Sequence, residues 1–508
     1  MKRWMRTTAL AAIGTVAPLM SCGSSGVAPP PPKSGNDAGS SAGSDAGSEA
    51  GFDAGTRISD GTSTTNRAAC MYARGALPAE TLGASIPITG EIPIENFVVV
   101  MMENHSFDSY LGHLNQYAHR TDIESAPANA SNPDTTGGPQ PWIHAPHLCS
   151  LDTNHGWAGT HQEIDNGMMD GFAQVNEGTM VPAAPDGGML DPGLGGGGRA
   201  LWWYDQTDLP FYYDIASTFA IADHYHCAVP GPTWPNRLFL YAATSFGNTQ
   251  TGVFPTIDAG AYPYPGNPES ILDELEASKV SWMYYSDTPL PVPILLYTTY
   301  ATRWNRTVAG KFADFQAAAK AGTLPQVSFV DPDLNISTTG SGSEADEHPP
   351  GDIQTGQLFV SQVVQAVMAS PQWAHAAILI MHDEHGGFYD HVAPPKACAP
   401  DSIAPVLAAD DTTDGGFDLE GVRVILIAVS PYAKKGYVGH HVYDHTSITR
   451  LIETKFNLPA LTARDANAEP PTDLFDFSSP PAFITAPTIA PPPVDDAGFA
   501  YCTGTFGN

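Results

Sequence analysis

The run Ile378-Leu-Ile-Met-His-Asp-Glu-His-Gly-Gly-Phe-Tyr-Asp-His391 constrains the fold more than any other stretch of the 508-residue chain. Continuous apolar character ending at paired glycines describes a strand buried on both faces, and such strands belong to parallel sheets covered by helices. Acids and imidazoles follow at its carboxyl end. Open α/β sheets bind ligands there, because loops aim side chains into a crevice while the strands hold them rigid. Asp383 and Glu384 accordingly read as oxygen ligands for a hard cation, although a polar surface turn would draw on the same residues.

A second stretch repeats this grammar. Asn96-Phe-Val-Val-Val-Met-Met102 has the pattern of a buried strand, Glu103-Asn-His-Ser-Phe-Asp108 follows at once, and Ser106 stands where a helix N-cap is expected. Two strands that deliver acids at one end can share an ion. The Glu103 carboxylate and the Asn104 amide oxygen are hard donors, as are Asp383 and Glu384, the alternative being that Glu103 and Asn104 only cap the next helix. Further strands are expected at 281–285, 326–330 and 422–430, with helices over 352–370 and from Tyr443, where Ile448, Leu451, Ile452 and Phe456 share a face. This alternation predicts an α/β domain with a central, mostly parallel sheet flanked by helices.

Val229-Pro-Gly-Pro-Thr-Trp-Pro-Asn-Arg237 supplies a third polar centre. Helical character from Arg237 to Ser245, with Pro235 at an early helical position, puts Thr233 at or just before a helix N-terminus. Unpaired N–H groups there favour phosphate, so the Thr233 hydroxyl is either a nucleophile or an N-cap. Loops around Asp152-Thr-Asn-His155 and Glu347-His348 add imidazoles, which titrate near neutrality and can protonate a leaving oxygen. Oxygen donors, a hydroxyl at a helix start and histidines together suit metal-assisted phosphoryl transfer. Asp444 and His445 are supporting candidates, and Asp444 is equally a helix cap.

The chain ends differ in character. Lys2, Arg3 and Arg6, an apolar stretch from Ala9 to Met20, and Leu19-Met-Ser-Cys22 make an export signal too short for a permanent anchor. Its ending resembles a bacterial lipobox, which implies a lipidated Cys22 and a cell-envelope lipoprotein, at the outer membrane or cell surface, with a plain secreted protein as the alternative. Residues 23–85 read as a flexible Gly/Ser/Ala/Asp-rich tether, 86–475 as the catalytic domain and 476–508 as a Pro/Ala-rich tail wrapping its surface. Residues 178–199 read as a long glycine-rich loop. Export permits disulfides. Beyond Cys22, Cys70, Cys149, Cys227, Cys398 and Cys502 are odd in number, so a thiol stays unpaired, and Cys398 with Cys502 is the plausible staple of the tail. A formal charge of −32 argues against sequence-independent nucleic-acid binding and anionic lipid, leaving zwitterionic or small substrates.

Five motifs, at 103–108, 231–237, 347–350, 383–392 and 444–447, together resemble the bacterial phosphoesterase family of phosphatidylcholine-hydrolysing phospholipases C and related acid phosphatases. The resemblance runs from about residue 95 to 475 and implies an alkaline-phosphatase-like fold. It further implies one divalent cation on Glu103, Asn104, Asp383 and Glu384, and Thr233 as the nucleophile that becomes phosphothreonine. His155 and His348 would be catalytic groups in the pocket, Asp152 would lie beside the first, and Trp234, Asn236 and Arg237 would meet the substrate. Trp234 departs from the polar residue that many relatives carry, and its indole would offer a face to a choline-like cation. With the aromatic segment Trp202-Trp-Tyr204 and the acidic surface, this points to a phospholipase C-type phosphodiesterase acting on zwitterionic phospholipid. The alternatives are an acid phosphatase on monoesters and a non-catalytic surface binding protein that kept the fold.

Overall fold

The structure, a computed structural model, describes residues 57–177, 196–251, 269–288, 291–296, 300–334, 344–409, 411–493 and 495–507. Among them the main sheet has eight strands: β1 Asn96–Met102, β2 Ala220–Ala222, β3 Trp282–Tyr285, β4 Ala309–Gly310, β5 Val327–Val330, β6 Ala376–His382, β7 Leu426–Val429 and β8 Tyr437–Gly439. Their order is β8-β2-β7-β6-β1-β5-β3-β4. The two apolar runs that organise the sequence, β1 and β6, are central, and every residue of both is buried. They pair in parallel from Asn96↔Ala376 to Met102↔His382, and β5 runs parallel along the other edge of β1. Only β7 opposes its neighbours, pairing antiparallel with both β6 and β2. The sheet is therefore mostly parallel, as expected.

Helices cover it. Those used below are α1 Asp60–Ala68, α2 Phe107–Leu111, α3 Trp157–Ile164, α4 Thr233–Ala242, α5 Ile353–Met368, α6 His445–Phe456 and α7 Asp496–Phe506. Ser106 caps α2 by accepting from Ser109 N at 3.1 Å, and Asp352 and Asp444 cap α5 and α6 with their carboxylates. The spacing read from sequence is kept in the packing: α5 buries Ile353, Val360, Val363, Val364 and Val367, and α6 buries Ile448, Leu451 and Ile452. Each such side chain contributes roughly 1.5–3 kcal/mol relative to exposure.

Three expectations change. The tether does not extend to residue 85: Ser59 caps α1, Ser63 Oγ donates to Thr81 O at 2.7 Å, Arg67 is buried against Glu469, and Cys70 is bonded to Cys398. A polar helix held by a disulfide and a buried ion pair needs little apolar content, which is why composition missed it. Cys398 is thus not the partner of Cys502, which instead bonds Cys149, and Cys227 remains a buried thiol. The end of the chain carries α7, whose Cys502 anchors it, in place of a wholly irregular tail. Within the glycine-rich segment, Gly197–Leu201 forms a short helix with Arg199 buried, and residues 178–195 lie outside those described. The export signal, Cys22 and the tether up to residue 56 also lie outside them. No helix among the described residues is long and apolar enough to cross a membrane.

Candidate active site

Parallel register brings the first two motifs together. Because Met102 and His382 are partners, Glu103-Asn104 and Asp383-Glu384 leave the sheet side by side, and oxygens of Glu103, Asp383 and Glu384 lie within 4.8 Å of one another in a buried cluster. Asn104 donates Nδ2 to Glu384 Oε1 at 2.8 Å, while its Oδ1 is buried without a hydrogen-bond partner. Three buried carboxylates beside an orphaned amide oxygen form a donor set suited to a hard divalent cation. The turn after Glu384 needs glycine. Gly386 has φ +62°, and a Cβ there would lie 2.0 Å from Asn104 O.

The third motif comes from the opposite side. Thr233 is the first residue of α4, and its Oγ1 donates to Glu103 Oε2 at 3.2 Å. One turn along the helix, Arg237 reaches Glu103 Oε1 at 2.9 Å, Asp383 Oδ2 at 3.0 Å and Asp331 Oδ2 at 3.2 Å. Burial raises the Asp383 carboxyl well above the usual range and Glu103 adds to the rise; at Glu103 burial is outweighed, chiefly by Arg237, and the carboxyl is lowered. Charges this close and this dry are held by their partners.

Three of the substrate contacts implied by the resemblance have other surroundings here. Arg237 is fully buried and its guanidinium is taken up by carboxylates and Met101 O. Asn236 is equally buried, accepting from Val229 N at 3.0 Å and donating to Gly231 O at 2.8 Å, so it staples the loop that carries Thr233. Trp234 belongs to the hydrophobic core, and its indole does not present the open face expected for a cationic headgroup. Trp202 and Tyr204 are buried in the same core, and Trp203 packs on His113 and Trp142, so this aromatic segment is interior structure.

The histidines form the mouth. His155 and His348 stand edge to face with ring centroids 5.4 Å apart, and Asp152 Oδ1 is 3.5 Å from His155 Nδ1 and 3.9 Å from His348 Nε2. Side-chain exposure falls from 49 % at Asp152 through 25 % at His348 and 12 % at His155 to zero at Glu384, so the site opens from the carboxylate floor past the imidazoles. Each ring donates Nδ1–H to a backbone carbonyl, His155 to Thr153 O at 2.8 Å and His348 to Pro349 O at 2.6 Å. Both Nε2 atoms are thereby left for chemistry. That of His155 faces Glu384 Oε1 at 3.8 Å. Burial lowers the His348 pKa, but Asp152, Glu103 and Asp346 outweigh it and push it up to about 9.

Several supporting residues escaped the sequence reading. Asp331 follows β5 as Glu103 follows β1 and Asp383 follows β6, a signal that was present and unused. His445, at the start of α6, is a supporting group as expected, with Nε2 2.6 Å from Asp383 O. His385 Nε2 meets Glu163 Oε2 at 2.9 Å, Glu163 Oε1 accepts from Asn176 at 3.0 Å, and Asn176 Oδ1 accepts from Asn154 N at 2.7 Å. This buried chain ties the Glu384 turn to the His155 loop. Nothing in the spacing of Glu163 or Asn176 advertises it.

The chain matches the family model described as the Phosphoesterase family over residues 94–459. It is 30 % identical over 403 residues to a non-specific phospholipase C1 of Arabidopsis thaliana, covering 74 % of this chain and 69 % of that protein. A phospholipase C B of Mycobacterium tuberculosis is 28 % identical over 465 residues, with 82 % and 84 % covered. A non-hemolytic phospholipase C of Burkholderia pseudomallei is 29 % identical over 458 residues, 77 % of this chain and 60 % of that one. Among solved structures, a protein in the alkaline phosphatase superfamily from Vibrio parahaemolyticus covers 71 % of this chain and 78 % of its own at 7 % identity and a TM-score of 0.32. With five motifs from distant parts of the sequence gathered at one end of one sheet, and with that match over residues 94–459, the chain belongs to the phosphoesterase family and is a hydrolase of phosphate esters.

Proposed function

We propose that this chain is a metal-dependent phosphodiesterase of the phospholipase C type, cleaving zwitterionic phospholipid through a phosphothreonine at Thr233. The observation that carries the reading is the 3.2 Å approach of Thr233 Oγ1 to Glu103 Oε2, at a helix N-terminus and beside the buried carboxylates. Glu103, Asn104, Asp383 and Glu384 would hold one divalent cation. Such an ion, when bound, lowers the pKa of a hydroxyl and draws charge from phosphoryl oxygens.

The protein groups divide the remaining work. Glu103 orients the threonine hydroxyl, and the positive end of the α4 dipole favours the phosphoryl oxygens. Thr233 Oγ bonds to phosphorus as its proton passes to Glu103 Oε2, while the bond from phosphorus to the alcohol oxygen breaks. His348 Nε2 gives its proton to that departing oxygen, a role suited to an imidazole kept protonated by surrounding carboxylates. Water then attacks phosphorus and gives a proton to His348 Nε2, the bond to Oγ breaks, Oγ takes back the proton held by Glu103, and the phosphomonoester leaves. His155 steadies Glu384 and narrows the opening, and Asp152 holds the two rings.

The phospholipase C names of relatives over most of the chain support a phospholipid diester, and the net charge of −32, unfavourable to anionic lipid, supports a zwitterionic headgroup. A lipidated Cys22 on the preceding segment would hold the enzyme at an envelope membrane. Turnover of p-nitrophenyl phosphorylcholine and p-nitrophenyl phosphate, each with and without chelator, is the test. Chelator-sensitive cleavage of the diester is expected; cleavage of the monoester alone would replace the lipase reading with that of an acid phosphatase.

A further inference from the structure

Glu347 occupies an unusual place for a glutamate. Its backbone φ is +77°, in the left-handed region that non-glycine residues rarely adopt, and its carboxylate is fully buried. A buried carboxylate is costly unless it is well hydrogen-bonded. Here Tyr212 OH lies 3.0 and 3.2 Å from the two oxygens, and His382 Nε2 lies 3.1 Å from Oε2. His382 in turn sets Nδ1 against the backbone of His105, 2.8 Å from its O and 3.1 Å from its N. Helix α5 makes room as well. A Cβ at Gly356 would fall 2.1 Å from Glu347 Cγ.

An apolar residue would fill this space without needing two polar partners or an unfavourable backbone angle. What the arrangement achieves is registration: the carboxylate is fixed to the ends of β1 and β6, which deliver Glu103 and Asp383, and the next residue in the chain is His348. A residue clamped in that conformation fixes where the following imidazole starts. The His348 ring adds its own bond to Pro349 O, so its Nε2 has one direction left.

We infer that Glu347 is a positioning residue for His348, with Tyr212, His382 and the bare α-carbon of Gly356 setting its carboxylate. The inference rests on the reading of His348 as the proton donor to the leaving alcohol. Proton donation matters most when that alcohol is a poor leaving group and least when it is p-nitrophenol. Misplacing the donor should therefore be visible in the choice of leaving group, which a general loss of folded protein would not alter.

The test is steady-state kinetics of the full-length, metal-loaded enzyme on phosphorylcholine diesters with alkyl and p-nitrophenyl leaving groups. In Glu347→Gln, kcat for the alkyl ester is expected to fall roughly 10–100-fold, below the full effect of a general acid, with kcat for the aryl ester within about 3-fold and KM for both nearly unchanged. His348→Gln should give the same selectivity, more strongly. Gly356→Ala, which pushes on the Glu347 stem without removing a charge, should give it more weakly and covers the case in which Glu347→Gln does not fold. Equal losses for both esters in the Glu347 and Gly356 variants, with His348→Gln still selective, would overturn the positioning role alone. If His348→Gln shows no selectivity, the reading of His348 as the acid fails and the inference falls with it.

Discussion

Met102 and His382 are register partners in neighbouring parallel strands, and this one pairing places Glu103-Asn104 beside Asp383-Glu384 across 280 positions of sequence. The proposed ligand set is thus a product of the sheet. Its consequence is testable by substitution: Asp383→Asn removes a buried charge from the cluster while keeping its shape. Outer-shell changes at metal sites typically cost 10–100-fold in affinity, so a direct ligand should cost at least about 100-fold. Metal content after dialysis and titration of activity against free cation would measure it; full metal content in Asp383→Asn would remove that residue from the set.

Thr233 makes a sharper case. If its hydroxyl is the nucleophile, Thr233→Ala should lose ~10⁴-fold or more in kcat, as nucleophile deletions do elsewhere. Thr233→Ser keeps an oxygen on the same turn and should stay within ~10-fold, about 1.4 kcal/mol of barrier. Acid quench of the wild type during turnover, followed by peptide mass spectrometry, should find added phosphate on the peptide containing Thr233 and on no other.

Part of this was legible in advance, and the reasons differ by element. Strands β1 and β6 announce themselves because burial on both faces demands unbroken apolar residues, and the polar residues after them mark the functional end. The direction of β7 was not legible, since a buried strand reads the same whichever way it runs. The surroundings of Arg237, which the resemblance puts on the substrate, were hidden for a related reason: only the register of β1, β5 and β6 brings three carboxylates around it. Disulfide pairing was hidden as well, because Cys70–Cys398 and Cys149–Cys502 each join residues more than 300 positions apart.

The pairing predicts a thiol pattern. Denatured, non-reduced protein should yield disulfide-linked peptides for Cys70–Cys398 and Cys149–Cys502, with Cys227 alkylated only after unfolding because it is buried. Replacing Cys149 and Cys502 together by serine should cost about 2–5 kcal/mol, as loss of a native disulfide typically does. Recovery of a peptide linking Cys398 to Cys502 would contradict the fold at both ends of the domain.

As the proposed proton donor, His348 should set the alkaline limit of activity. Carboxylates raise its pKa to about 9, so the donor is protonated below that value and activity falls as pH rises through it. A cation bound at Glu103 weakens one of those carboxylates, so the limb in kcat should lie between the ordinary imidazole value of about 6.5 and about 9. His348→Gln should abolish that limb for an alkyl leaving group. A profile whose alkaline limb is the same in wild type and variant would assign the proton to another group.

Arg237 separates a buried support from a substrate ligand. Removing its charge by Arg237→Met strands Glu103, Asp383 and Asp331 without their shared counter-ion, and breaking a buried ion pair from one side typically costs about 3–5 kcal/mol. Lysine keeps the charge but lacks the planar fork that reaches several oxygens at once, so Arg237→Lys should be intermediate. A divalent cation would repair part of the imbalance, because it also neutralises Glu103 and Asp383. The stability deficit of Arg237→Met, read from urea unfolding, should therefore shrink when the cation is present. A variant as stable as wild type, with KM raised and the cation without effect, would instead return Arg237 to the substrate, where the resemblance puts it.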